Sequence, residues 1–257
     1  MDPGAWARPG GDFEGGTLDT ESIGDRLLRI TVWLAFVGAG AVVVGSIVNH
    51  YVFDDDVFGL NAALEISFNN WLTVVATFAA ALVAALHALI IPARRAWFWI
   101  LAATLTFLSM DDLVRLHERI GDRIGIDNIE VAVFAPAYVF VFLTVWVLSR
   151  EAAPRAAQVM RLGLALLAVA VAVDLGTALT PDPGAGEAAS LAPVRVAVEE
   201  GLEVAGWIMV GGGMVAMVCL RLLAFGSRAR GPRPPRPSQG GSQQGDARRT
   251  RAVTPFQ

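Results

Sequence analysis

The sequence predicts an all-α polytopic membrane protein: a transmembrane bundle of six spans with both termini cytoplasmic. Three observations predict it. Of 257 residues, 54% are hydrophobic and only 17% charged, against roughly 25% charged in ordinary soluble domains. The apolar residues gather in blocks of about 20, the length that crosses a bilayer as an α-helix. The arginines are shared unequally between the connecting segments, as the positive-inside rule requires of a membrane protein.

The elements follow in chain order. Residues 1–24 form a polar, acidic, Gly-rich leader without periodicity, expected to be disordered. Residues 25–226 form the membrane domain. Its six blocks run approximately over 28–50, 70–91, 96–117, 130–149, 160–179 and 197–220. The first is interrupted only by Arg29. The second stops at Pro92, and Arg94-Arg95 separate it from the third, so these two read as a tight helical hairpin. The fourth contains Pro136, which a membrane helix tolerates with a kink. The fifth carries one charge, Asp174. The sixth holds Gly211-Gly212-Gly213, small residues that let a neighbouring helix come close. Residues 227–257 are rich in Arg, Pro, Gly, Ser and Gln and read as a disordered cytoplasmic tail. A first block long enough to span, after a polar leader, gives no sign of a cleaved signal peptide.

Orientation comes from arginine alone, since the chain has no lysine. With the N-terminus inside, the cytoplasmic flanks hold Arg26, Arg29, Arg94, Arg95, Arg150, Arg155, Arg161, Arg221, Arg228 and Arg230. The opposite face holds Arg115, Arg119, Arg123 and Arg195. The asymmetry places the protein in the cell membrane, N-in and C-in. Trp33, Trp97, Trp99 and Trp146 then fall near the inner interface and Trp71 near the outer one.

This topology sorts the acids. His50 and Asp54-Asp55-Asp56 reach the outer end of the first helix. Asp111, Asp112, His117 and Glu118 reach the outer end of the third. Asp174 lies in the outer half of the fifth, and Glu199, Glu200 and Glu203 at the outer end of the sixth. At 1.5 Å per residue, Asp111 and Asp112 lie about four residues inside the outer boundary, Glu203 about two and Asp174 about six to eight. Charges at such depth face the bundle interior and find partners there.

Two motifs carry the chemistry. In Asp111-Asp112-Leu113-Val114-Arg115-Leu116-His117-Glu118, the helical period points Asp111 and Glu118 the same way, with His117 on the flank. In Glu199-Glu200-Gly201-Leu202-Glu203, one helix face presents three carboxylates. Carboxylates from two helices and one imidazole are the usual ligands of metal sites in bundle cores, and oxygen-rich ligation with a single His suits Zn, Mn, Fe or Ca. The expected ligand set is Asp111, Asp112, His117, Glu118, Asp174, Glu199, Glu200 and Glu203. Local ion pairing is the competing reading: Asp111 and Asp112 can pair with Arg115, Arg119 with Asp122, and Arg195 with Glu199. Glu200 and Glu203 have no cation at helical spacing. Asp54-Asp55-Asp56 reads as a solvated loop, His50 as interfacial and His87 as a packed polar residue far from the acids. Cys219 reads as a small packed hydrophobe, and a lone cysteine excludes disulfides and multi-cysteine metal sites.

The segment Phe107 to Glu118, with its Asp-Asp pair followed by His-Glu, resembles a group of prokaryotic multi-pass membrane proteins. These have such a motif at the end of one helix and a Glu-Glu-rich start to a later one, matched here by Glu199, Glu200 and Glu203. The resemblance implies topology and candidate residues; the group has no established activity. A more distant analogy is to the membrane hydrolases that include alkaline ceramidases, in which Ser109, Asp111 or Asp112 and His117 would take the metal-site roles. This chain departs from that pattern, having three histidines on three helices and no His-x-x-x-His in its last helix.

Three functions fit these residues: a protein that holds a divalent cation or relays protons at its outer face, a membrane-embedded metal-dependent hydrolase, and a structural or assembly protein. The partner implied is the lipid bilayer, with no nucleic acid.

Overall fold

The computed structural model describes residues 20–60, 67–92, 94–114, 129–178 and 192–229. Six α-helices make up the described residues: α1 (Thr20–Phe53), α2 (Phe68–Ile90), α3 (Arg95–Val114), α4 (Ile129–Ser149), α5 (Pro154–Ala178) and α6 (Ala192–Ala229). A single 3₁₀ turn, Phe58–Leu60, follows α1. Five of the helices are long and apolar enough to cross a membrane, and α4 contributes the shorter apolar stretch Ala135–Ser149. The protein is helical and membrane-embedded by composition. The first helix begins at Thr20, inside the segment whose composition marks it as leader, and the last runs to Ala229.

Local chemistry sets the helix ends. Ser67 caps α2, its hydroxyl accepting from the Asn70 N–H at 3.2 Å, which satisfies one of the donors a helix start leaves free. The helix ends before Pro92, where the Ile91 N–H still reaches the His87 carbonyl at 2.9 Å. Arg94 then turns the chain with a φ of 58°, and α3 starts at once. Pro154 opens α5, a position where its missing N–H has no helical partner to lose.

The last helix is the centre of the bundle. It packs most extensively on α1 and α5 and also along α2, while α3 packs chiefly on α2. Three consecutive glycines make this possible. A side chain at Gly211 would meet Ala80 of α2, one at Gly212 Thr31 of α1, and one at Gly213 Met160 of α5. Successive residues of a helix point about 100° apart, so one turn of α6 receives three neighbours. The apolar core runs between α2, α3, α4, α5 and α6 through Phe98, Leu101, Leu105, Val145, Leu164 and Met214. Large side chains on the other helix faces point outward, including Trp33, Phe36, Leu82, Leu89 and Leu143. For α1 only 22% of its apolar window is buried in the bundle, so most of that helix needs lipid as its solvent.

Candidate functional site

Polar side chains buried at the carboxylate end tie three helices together. The Asn69 amide of α2 donates to the Ser46 hydroxyl of α1 at 2.9 Å. The Asn70 amide donates to the Asp112 carbonyl of α3 at 3.3 Å, and one turn deeper the Ser109 hydroxyl donates to the Val74 carbonyl at 3.0 Å. Asn49 closes the end of α1, its side-chain oxygen accepting the Val57 N–H at 3.0 Å and its backbone carbonyl the Asp55 N–H. Asp54 and Asp55 take left-handed φ values, 47° and 64°, a conformation Asp tolerates better than most residues. The His50 ring sits 2.9 Å from the Asp55 carboxylate, half-exposed, so it belongs to the turn.

Of the expected ligands, Asp111 is buried, at 5% exposure, and Asp112 half-buried. Glu199, Glu200 and Glu203 are half-buried on α6. The acids of α3 and α6 lie at the same end of the bundle on helices that both pack on α2. His117 and Glu118 lie outside the described residues, as does the side chain of Asp174 in α5. Among the described residues, no three His, Cys, Asp or Glu side chains are grouped closely enough to hold a metal ion.

Sequence reading missed the uncharged part of this layer. Asn69, Thr73 and Thr77 are all buried and recur every four residues, so they share one face of α2; that spacing was legible. At the opposite end, His87 is 1% exposed and stacks on Phe98, centroids 3.7 Å apart. Its Nε2 lies 2.9 Å from Arg221 Nη1. A guanidinium can only donate, so Nε2 accepts and the ring proton sits on Nδ1. Arg221 also reaches Glu151 at 3.4 Å, and Glu151 pairs with Arg94 at 2.7 Å. Arg155 pairs with Asp25, and Arg161 donates to Ser149 at 3.0 Å while lying over the Trp146 ring. The basic end is thus knitted by arginine, joining α1, α2, α5, α6 and the α4–α5 turn. Two surface grooves lie at this end, one of about 410 Å³ beside Arg29, Trp33 and Arg155, the other of about 340 Å³ beside Arg94, Trp97 and Phe140. Neither adjoins the carboxylates.

Neither a curated protein nor a solved structure matches the chain. One family does, a domain of unknown function (DUF8692), over residues 27–220, from α1 to near the end of α6, and the chain belongs to that family.

Proposed function

We propose that this protein is a six-span cell-membrane protein, N-in and C-in, whose outer carboxylate layer holds a divalent cation. The observation that supports the reading is the gathering of Asp111, buried, and Asp112, Glu199, Glu200 and Glu203, half-buried, at one end of the bundle. Carboxylates half-buried where water is scarce are costly to keep charged together, and a bound cation lowers that cost. Oxygen ligands of this kind suit Mn or Ca, and His117, at the end of the same motif, would extend the choice to Zn or Fe. The hydrolase alternative needs an open metal position as well as the metal, so it asks more of the same residues.

Thermal unfolding of the detergent-purified protein tests the reading. Mn²⁺, Ca²⁺ or Zn²⁺ at about 100 times its Kd stabilises the bound state by roughly 2.7 kcal/mol, or about 5–10 °C for a chain of this size. Glu200→Gln and Asp112→Asn should each abolish most of that shift and change little in a chelator-treated sample. Absence of any metal-dependent shift, or one unaltered in Glu200→Gln, refutes it. A proton would meet the same electrostatic need; stability that follows pH in chelator and ignores metal marks that case.

A further inference from the structure

Helices α1 and α5 start at the basic end and run the same way, and α6 sets their register. Consecutive glycines of α6 meet Thr31 of α1 and Met160 of α5, so those two residues stand at one depth. Counting back along both helices, Arg29 is level with Gln158 and Asp25 with Pro154. The Arg155 guanidinium donates to the Asp25 carboxylate accordingly. Each of the two helices packs far more on α6 than on the other. The furrow left between them at this end is the groove of about 410 Å³, a volume typical of small-molecule sites.

The groove changes character along its length. Asp25, Arg29 and Arg155 line the part nearest the helix starts, and Val32 and Trp33 of α1 line it further in, with Val159 of α5 opposite. Val32 and Trp33 are 45% and 67% exposed, so lipid is the solvent that suits them. The polar part carries a surplus charge. Arg155 faces Asp25, whereas among the described residues Arg29 makes one hydrogen bond, from Nε to the Asp25 carbonyl at 3.4 Å. Two guanidinium groups against one carboxylate leave one positive charge over. Depth agrees with this division. Arg29 lies 21 residues from His50, about 31 Å along α1, and the hydrocarbon core is about 30 Å thick. With the His50 turn at one membrane surface, Arg29 reaches the headgroups of the other leaflet. Trp33 sits one turn inside it, at the interface tryptophan prefers.

We propose that this groove between α1 and α5 binds the headgroup phosphate of one anionic phospholipid from the leaflet at the basic end. Arg29 and Arg155 donate to the phosphate oxygens, the geometry a guanidinium fork is built for. An acyl chain follows Val32 and Trp33 toward the middle of the membrane. The single surplus positive charge matches the single negative charge of a phosphodiester. A zwitterionic lipid brings its own ammonium group and needs no such surplus, so the groove selects lipids with an uncharged headgroup alcohol. The site requires only that the protein sits in a bilayer, and it stands whether or not the carboxylates at the other end hold a cation.

Thermal unfolding of the full chain in a neutral detergent tests the site, with phosphatidylglycerol or phosphatidylcholine added at equal mole fraction. The difference in Tm between the two lipids is read within each variant, so a variant's own change in stability cancels. Wild type should melt about 3–6 °C higher in phosphatidylglycerol at roughly ten times its Kd. Arg29→Gln and Arg155→Gln should each lose more than half of that difference. Arg150→Gln removes the same charge from an exposed turn outside the groove and should keep it. Asp25→Asn removes the competing carboxylate and should enlarge the difference, although it breaks the ion pair with Arg155. A structural ion pair would give the opposite sign. Equal differences in Arg29→Gln, Arg155→Gln and Arg150→Gln mark general attraction to a charged surface and overturn the site, as does a wild type indifferent to the two lipids. Sodium phosphate should leave Tm unchanged; if it reproduces the phosphatidylglycerol shift, the groove takes a free anion and the lipid assignment falls.

Discussion

Replacing Gly163 of α5 with alanine tests how the bundle is held together. A Cβ built there would lie 2.8 Å from the Gly206 carbonyl oxygen and 3.0 Å from both Met209 Cβ and the Val210 nitrogen of α6. Two of these atoms are backbone, so relief requires the helices to part. Overpacking of this kind costs about 1–3 kcal/mol, and alanine recovers up to about 1 kcal/mol of helix propensity. A net loss of about 1–2 kcal/mol follows, equivalent to a fall in Tm of roughly 2–8 °C. Gly40 of α1 supplies the contrast, since an added Cβ there meets nothing within 4 Å. Gly40→Ala gains only the propensity and should raise Tm by about 2–4 °C. Gly211→Ala, touching Ala80 at 3.4 Å, should fall between them. Thermal unfolding in detergent, followed by near-ultraviolet circular dichroism of the tryptophans, gives the order. If Gly163→Ala melts at or above Gly40→Ala, the close α5–α6 crossing is wrong.

The basic end and the topology give two more predictions. His87→Ala removes a buried ring stacked on Phe98 and the acceptor for Arg221, and should cost about 2–4 kcal/mol; Glu151→Gln loosens ion pairs that are partly exposed and should cost less than about 1 kcal/mol, so equal losses of Tm would show that His87 is not packed as described. Reporter fusions at Arg155 and after Ser227 should read as cytoplasmic and one near Gly184 as external; an external C-terminus inverts the orientation.

Much of the architecture was written in one dimension. A run of about 20 apolar residues can satisfy its backbone in lipid only as a helix, so the positions of the helices follow from composition. Pro92 and Arg94-Arg95 marked the α2–α3 turn, and Gly211-Gly212-Gly213 marked a place of close approach. The sorting of Asp111, Asp112 and the α6 glutamates to one end followed from counting residues along alternating helices, and these five have described side chains. The expected set of eight also includes His117, Glu118 and Asp174, whose side chains lie outside them.

What only the tertiary structure decided is which helix faces touch. Three glycines in a row say that something approaches; that Ala80, Thr31 and Met160 approach from α2, α1 and α5 depends on side chains far apart in sequence packing simultaneously around α6. His87, alone on an apolar helix, gave no sign of Arg221 and Glu151, because its partners are supplied by a helix end and a turn more than sixty residues away. The spacing of Asn69, Thr73 and Thr77 was visible as a stripe, but a polar stripe can face water, a partner or its own carbonyls. Their burial, with neither threonine hydroxyl hydrogen-bonded, is a property of the packed bundle, where neighbours rather than sequence choose what each polar atom meets.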